Sequence, residues 1–206
     1  MKLGLLGNKI GMTQLFDKKG NIIPVTIIKA GPCYITQIKL EKDCGYNAIQ
    51  LGYIETNEKN LTKPEIWHLK KNNLIGYKHL KEYKIENFIY NIGQEIKLDI
   101  FNINQKVNIT SFPIGKGMTG NIKIHHFKRG PMAHGSKHHR LQGSLGAGTT
   151  PGRVFPGKKM PKRSGNKYKT ISNLTIIGLN LNENLLIIKG SIPGKKGNLV
   201  NVIPSI

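Results

Sequence analysis

One long stretch without carboxylates limits what this chain can fold into more than any other feature of its sequence. The 83 positions between Asp99 and Glu183 contain no Asp or Glu. Within them, residues 113–169 carry thirteen Lys and Arg, five of the seven His and eleven Gly, which is +13 of the formal charge of +21. Such a segment is self-repelling and has too few apolar side chains for a core of its own. We therefore expect it to borrow structure from a polyanionic partner.

The sequences on both sides of this basic segment are typical of short β-strands. They contain runs rich in Ile, Val, Thr and Tyr that are bounded by Gly, Pro and Asn. The predicted strands are 21–30, 33–40, 47–54, 95–100, 106–112, 174–179, 185–189 and 199–203, with a hairpin turn at 182–184. Many short strands at spacings of about 8 to 12 residues favour a small β-barrel or sandwich over a parallel α/β sheet.

A single short helix is predicted at 62–72. Thr62 fits the N-cap position, and Pro64 and Glu65 fit the first turn. We expect Trp67 to pack on the sheet.

Several protein classes are excluded or disfavoured by composition. The longest apolar runs, 22–28 and 185–188, are far shorter than the roughly 18 residues that span a bilayer. The opening residues do not resemble a secretory signal or a transit peptide, so we expect the protein to act where it is made. Cys33 and Cys44 are too few for a disulfide framework, and both are expected to be reduced.

Residues 115–120 match the dinucleotide-binding pattern GxGxxG. That motif requires a helix beginning at the third glycine and an acidic residue about 20 positions later. Residues 121–125 alternate like a strand, and the next acid is Glu183. The glycines, with Lys116 and Lys123, are instead expected to bring the backbone close to phosphates.

Five histidines form a second candidate site, in which His134 and His138 have the i, i+4 spacing of some zinc ligands. A zinc ion there would lie among Lys and Arg side chains with no thiolate or carboxylate to offset them. Histidine near RNA can instead donate hydrogen bonds and stack on bases. RNA contact is therefore favoured, no bound metal or cofactor is expected, and a zinc-dependent enzyme remains an alternative.

General acid–base catalysis also lacks its usual partners, because no carboxylate in the basic segment can orient a histidine. We expect a protein that is not an enzyme, without a small-molecule substrate. Folded RNA is the favoured partner, since no recognition helix for duplex DNA is evident, although a DNA-compacting basic protein remains an alternative. The predicted RNA-binding residues are Lys116, Lys123, His125, His126, Lys128, Arg129, His134, Lys137, His138, His139, Arg140, Arg153, Lys158, Lys159, Lys162 and Arg163.

The tip of the basic segment, 142–155, is rich in small residues. Its candidate contact residues are Gly143, Gly146, Gly148, Thr150 and Gly152. Glycine allows close approach of the backbone and positive φ, so we expect this tip to fit an RNA crevice by its shape.

Six blocks along the chain resemble the family of large-subunit ribosomal protein three, of the bacterial type found in plastids. They run in order from Leu3 to about Ile203 and read GLLGNKIGMTQLF, IPVTIIKAGPCYITQIK, GYNAIQLGY, GKGMTGNIKIHHFKRGPMAHGSKHHR, GSLGAGTTPGRVFPGKKMP and LLIIKGSIPGKKGNLV. The resemblance implies a mainly β fold, with a six-stranded β-barrel globular domain at 1–112 and 170–206. It also implies that 113–169 is an extension that penetrates ribosomal RNA (rRNA).

The same resemblance implies a structural constituent of the large ribosomal subunit that binds rRNA near its 3′ end, nucleates assembly and reaches toward the peptidyl-transferase region. The implied neighbours are large-subunit ribosomal proteins fourteen and nineteen, and no membrane is expected. The 28 Lys against 4 Arg suggest an AT-rich genome, so the plastid stroma is favoured over a bacterial cytoplasm. Some bacterial members carry a methylated Gln just before the Thr-Pro-Gly step, but this chain has Ala147-Gly148-Thr149 there, so that modification is not expected.

Overall fold

The computed structural model describes residues 3–85 and 90–205. The chain divides into two compact units. Met1–Phe112 and Tyr168–Ile206 form the first, here called the globular unit, and Pro113–Lys167 form the second, here called the extension. Tyr168 and Lys169, which the sequence placed in the basic segment, belong to the globular unit.

The protein is mainly β, as predicted. Its strands are β1 (Leu5–Phe16), β2 (Ile22–Ala30), β3 (Cys33–Lys39), β4 (Ala48–Glu55), β5 (Tyr77–Lys84), β6 (Glu95–Ile96), β7 (Lys106–Ser111), β8 (Gly117–Thr119), β9 (Lys162–Ser164), β10 (Lys169–Asn180), β11 (Leu185–Lys189) and β12 (Leu199–Pro204). The helices are α1 (Glu41–Cys44), α2 (Lys63–Lys70) and α3 (Asn121–His125), with 3₁₀ turns at Glu58–Asn60 and Leu98–Ile100. Among the described residues, no helix is long and apolar enough to cross a membrane.

Six strands of the globular unit close into a barrel in the order β1-β12-β7-β10-β11-β2, and β2 returns to β1. Every pairing is antiparallel. Buried and partly exposed residues alternate along β7 and β12, as expected when one face of a strand lines a core. Val107, Ile109, Val200 and Val202 on these strands are fully buried. The first and last strands of the chain are therefore neighbours.

Strand β1 is absent from the predicted strands because glycines, which disfavour strands, recur in and beside it. The structure gives these glycines a steric reason. A Cβ on Gly4 would lie 2.5 Å from the carbonyl oxygen of Val202, and one on Gly7 would lie 2.6 Å from that of Lys29. Gly4 and Gly7 allow β1 to pack closely between its two neighbours.

A second sheet of the globular unit has the order β5-β4-β3-β6. β5, which the sequence did not predict, lies at its edge and, among the described residues, pairs only with β4. The hydroxyl of Tyr83 on β5 donates a hydrogen bond to Oδ1 of Asn201 on β12. Buried residues of this sheet and of the barrel, such as Ile35, Leu51 and Ile188, form one continuous core.

Helix α2 confirms the predicted helix, but Trp67 does not pack on the sheet. Its side chain is 73% exposed, whereas Leu69 is buried. Two positions along a helix correspond to about 200° of rotation, so burying Leu69 turns Trp67 to solvent. His68 holds the helix in place, since its Nε2 lies 2.9 Å from Oε1 of Gln50.

The predicted strand at 95–100 is wrong beyond residue 96. β6 ends at Ile96, and Leu98–Ile100 form a 3₁₀ turn. Side chains three positions apart share a face of such a turn, which lets both Leu98 and Phe101 reach the core. A strand would have placed them on opposite faces.

Candidate nucleic-acid interface

The two ends of the extension run side by side and are paired by backbone contacts. β8 pairs with β9 in antiparallel register, and the N–H of Lys116 donates to the carbonyl oxygen of Ser164 at 2.8 Å. Gly165 packs against the backbone of Ile114 and Gly115, where a Cβ would clash. These backbone contacts hold the two ends of the extension together, although its side chains form no hydrophobic core.

Helix α3 begins immediately after Gly120, so the expectation that 121–125 would be strand-like is wrong. The helix has only five residues and ends at His125, followed by His126 as its C-cap, whose φ is 56°. Two of its side chains brace the extension by hydrogen bonds to backbone carbonyls of residues 159–160, which precede β9. Nδ2 of Asn121 donates to the carbonyl oxygen of Lys159 at 3.2 Å, and Nε2–H of His125 donates to that of Met160 at 3.2 Å.

A second brace closes residues 130–139. The N–H of Gly130 donates to the carbonyl oxygen of His139 at 3.0 Å. Nδ1 of His139 lies 2.8 Å from the carbonyl oxygen of Pro131, which can only accept, so this nitrogen carries the proton. A Cβ on Gly130 would clash with the carbonyl oxygen of His138, so this position requires glycine.

All Lys and Arg side chains of the extension are exposed. They include all eleven predicted RNA-binding cations and Lys167, which the prediction omitted although it continues the same charge run. Every arginine of the protein is among them. The three ion pairs that the described residues form all lie in the globular unit. The extension therefore presents positive charge without internal compensation.

The predicted histidines divide into two groups. His125 and His139 are partly buried in the braces described above, whereas His126, His134 and His138 are exposed. Residues 134–138 are not helical, so the spacing of His134 and His138 does not place them on one helix face. Among residues 3–85 and 90–205, no three His, Cys, Asp or Glu side chains come together as a metal-binding group.

A cavity of about 450 Å³ opens in the extension beside α3. Asn121, His138, Arg140 and Gln142 supply polar groups to its lining. Oδ1 of Asn121 is buried and has no hydrogen-bond partner among the described residues. A buried acceptor without a partner is costly, so this atom suits a donor supplied by a ligand, such as a 2′-hydroxyl or a base amine.

The tip, 142–155, exposes its backbone as expected. Gly143, Gly146 and Gly152 have φ of 79°, 144° and 64°, in the range that favours glycine. A Cβ on Gly143, Gly146 or Gly148 would have no neighbour within 4 Å. No contact with the residues that the structure describes therefore explains Gly148.

The buried titratable groups of the globular unit are held in their neutral forms. Burial raises the pKa of the Cys33 thiol to about 12 and that of the Tyr53 hydroxyl to about 12. Both cysteines are free, with Cys33 buried and Cys44 exposed. A thiol held neutral by burial is a poor nucleophile, so Cys33 serves packing.

Comparisons with known proteins find relatives of this chain in one family. The family model described as Ribosomal protein L3 matches residues 81–184. The chain is 56% identical to Large ribosomal subunit protein uL3c of Phaeodactylum tricornutum over the full length of both. It is 58% identical to uL3c of Trieres chinensis over 98% of each chain. It is also 52% identical to uL3 of the cyanobacterium Acaryochloris marina, over all of this chain and 97% of that relative.

Proposed function

Because the chain belongs to the ribosomal protein L3 family of the large ribosomal subunit, we propose that its extension binds large-subunit rRNA directly and stabilises the folded RNA without catalysing a reaction. The observation that carries this proposal is the uncompensated charge of the extension. All of its Lys and Arg side chains are exposed, and none joins the ion pairs of the described residues. Dense phosphate is the partner that such a surface fits.

Folded RNA fits the extension better than duplex DNA. DNA readers usually place a helix or a β-ribbon in the major groove, whereas α3 has five residues and β8 and β9 have three each. The exposed glycines of the tip and the unpartnered Oδ1 of Asn121 suit a crevice that offers 2′-hydroxyls and base edges. A DNA-compacting protein would need none of these features.

The finer role follows from the family. We propose that the extension binds near the 3′ end of the large-subunit rRNA, that this binding nucleates subunit assembly, and that the tip reaches toward the peptidyl-transferase region. Large-subunit ribosomal proteins fourteen and nineteen are the proposed neighbours. The relatives support the large subunit of a plastid or a bacterial ribosome as the location.

Competition binding tests the choice of partner. The full chain is titrated onto a labelled large-subunit rRNA transcript, with unlabelled transcript or duplex DNA of equal phosphate content as competitor. We expect the transcript to compete at least tenfold better than the duplex at 0.15 M salt. Equal competition would replace the rRNA proposal with the DNA-compacting alternative.

A further inference from the structure

A second candidate site lies in the globular unit, outside the extension. It is a cavity of about 400 Å³ between the edge strand β5 and the barrel strands. Its polar lining includes Tyr77, Lys78, His79 and Lys81 from the β5 side and Asn201 and Tyr168 from the barrel side. This volume lies in the range of cavities that hold small ligands, and one nucleotide is of that size.

Tyr168 gives the rim of this cavity an exposed aromatic surface. Its ring packs on Phe112 with centroids 3.8 Å apart and planes inclined at 37°. Tyr168 is nevertheless 67% exposed, because Phe112 covers only one side of the ring. An open ring face held in place by a neighbouring ring is the surface on which unpaired bases stack in RNA-binding proteins.

The charge of the cavity favours an anion. Lys78 and Lys81 are exposed, and neither joins an ion pair among the described residues. Glu65 is the acid in the lining, and hydrogen bonds from the N–H and the hydroxyl of Thr62 at 2.9 and 2.8 Å lower its pKa and keep it ionised, so with the two lysines the lining carries a net charge of +1. Burial and the nearby Lys78 lower the pKa of His79, so its ring is neutral at pH 7 and can both donate and accept.

The edge of β5 adds backbone hydrogen-bonding groups. Because β5 pairs only with β4, the N–H and C=O groups along its other edge have no strand partner within the described parts of the chain. Such groups can bind the edge of a base. They could equally pair with an extended peptide, but a peptide would explain neither the two lysines nor the exposed ring.

Sequence position also favours RNA as the occupant. Tyr168 is the first residue after the extension, and the exposed cations Lys162, Arg163 and Lys167 lie within six positions of it. Six residues span at most about 20 Å. The backbone of these cations is therefore no more than about 20 Å of chain from Tyr168, a length that about six stacked nucleotides at a spacing of about 3.4 Å would cover.

We propose that this cavity receives one unpaired nucleotide of the rRNA, with its base stacked on Tyr168 and its phosphate beside Lys81, which shares a face of β5 with Tyr83, the partner of Asn201 in the lining. The proposal rests on the rRNA-binding function proposed above. It adds a site of base recognition on the globular unit to the phosphate contacts of the extension.

Replacing Tyr168 in the full chain tests the stacking. We expect Tyr168→Ala and Tyr168→Leu to weaken binding to a large-subunit rRNA transcript about 5- to 100-fold, as loss of one stacked base does. Tyr168→Phe keeps the ring and should bind within about twofold of the unchanged protein. Phe16→Ala is the matched control, because Phe16 is 66% exposed and lies on β1 away from the cavity lining; it should bind normally.

The salt dependence of binding distinguishes the contribution of base stacking from that of the phosphate contact. Tyr168→Ala should leave the slope of log K against log salt unchanged, whereas Lys81→Gln should reduce its magnitude by about 0.7 to 0.9, the value for one phosphate. In base-reactive chemical probing, the unchanged protein should protect one unpaired nucleotide that Tyr168→Ala leaves reactive while the other protections persist.

The outcomes distinguish this proposal from the one on which it rests. Normal affinity and normal protections for Tyr168→Ala and Tyr168→Leu would overturn the nucleotide site while leaving binding by the extension intact. That result would point to a peptide as the occupant of the β5 edge. Failure of the unchanged protein to prefer the rRNA transcript would instead overturn the proposed function.

Discussion

Removing charge from the extension should change the salt dependence of RNA binding far more than removing the same charge from the globular unit. The test variant replaces six exposed cations of the extension with Gln: Lys116, Lys123, Lys128, Arg129, Lys158 and Lys159. Its control replaces six exposed lysines of the globular unit with Gln: Lys18, Lys19, Lys42, Lys59, Lys63 and Lys71. Both variants lose the same formal charge, so they differ only in where it is lost.

The magnitude follows from the number of exposed cations. Each phosphate contact contributes about 0.7 to 0.9 to the slope of log K against log salt, so six contacts give a magnitude of at least about 4. A fourfold rise in salt should then weaken binding of the unchanged protein about 250-fold or more. The extension variant should lose about 4 to 5 from the slope if all six replaced cations touch phosphate, and the control should lose less than about 1.

Filter binding of a large-subunit rRNA transcript between 0.1 and 0.4 M salt measures these slopes. Circular dichroism melting checks that both variants keep the barrel. An equal reduction of the slope in the two variants would refute the reasoning, because the RNA would then respond to net charge and not to the extension. A nearly flat slope for the unchanged protein would show that base contacts or protein neighbours dominate.

Four further predictions concern single residues. Gly148→Val, which has open space and no positive φ, should leave RNA binding within a fewfold but reduce large-subunit yield or the peptide-bond formation rate in reconstituted subunits; normal values for both would mean that the tip contacts nothing of consequence. Gly130→Ala, whose Cβ meets the carbonyl oxygen of His138, should weaken rRNA binding severalfold, whereas Gly120→Ala has open space and should not; equal affinities would remove the role of the 130–139 brace. Tyr83→Phe removes the hydrogen bond to Asn201 and should lower the free energy of unfolding by about 1 to 2 kcal/mol in urea titration, so an unchanged midpoint would show that this bond contributes nothing. A thiol reagent should modify one cysteine, Cys44, in the folded protein and two after unfolding, and rapid reaction of both in the folded protein would contradict the burial of Cys33.

Local sequence patterns were sufficient where the structure depends on neighbours in the chain. β2, β3, β4 and β11 lie close to the predicted ranges, because alternating β-branched residues between Gly and Pro signals define such strands locally. The start of α2 was equally readable, since Thr62 and Glu65 form the capping interaction with each other.

The features that sequence could not supply depend on distant contacts. β1 is a strand because Gly4 and Gly7 let it approach β12 and β2, and its own composition argues against a strand. β5 ends in Tyr83, whose hydroxyl bonds to Asn201, 118 positions away. Phe112 and Tyr168 are 56 positions apart, so their stacking is evident only once the ends of the extension are brought together.

The basic segment shows the same division. Its charge and its glycines led to the prediction of RNA contact, which stays a prediction, and every predicted cation is exposed. Its internal braces could not be predicted, because Gly130, His125 and His139 use backbone carbonyls that any residue would offer. Sequence therefore predicted the exposed cations of the extension, but not the backbone contacts that position them.

The pairing of the first strand with the last governs when the globular unit can fold during translation. Leu5 pairs with Val202, 197 positions later, and three of the six barrel strands, β10, β11 and β12, follow the extension in the chain. During translation, the whole extension is therefore synthesised before half of the barrel strands. Closure over so long a separation is also intrinsically slow. The cations of the extension are thus synthesised before the barrel that carries them can close.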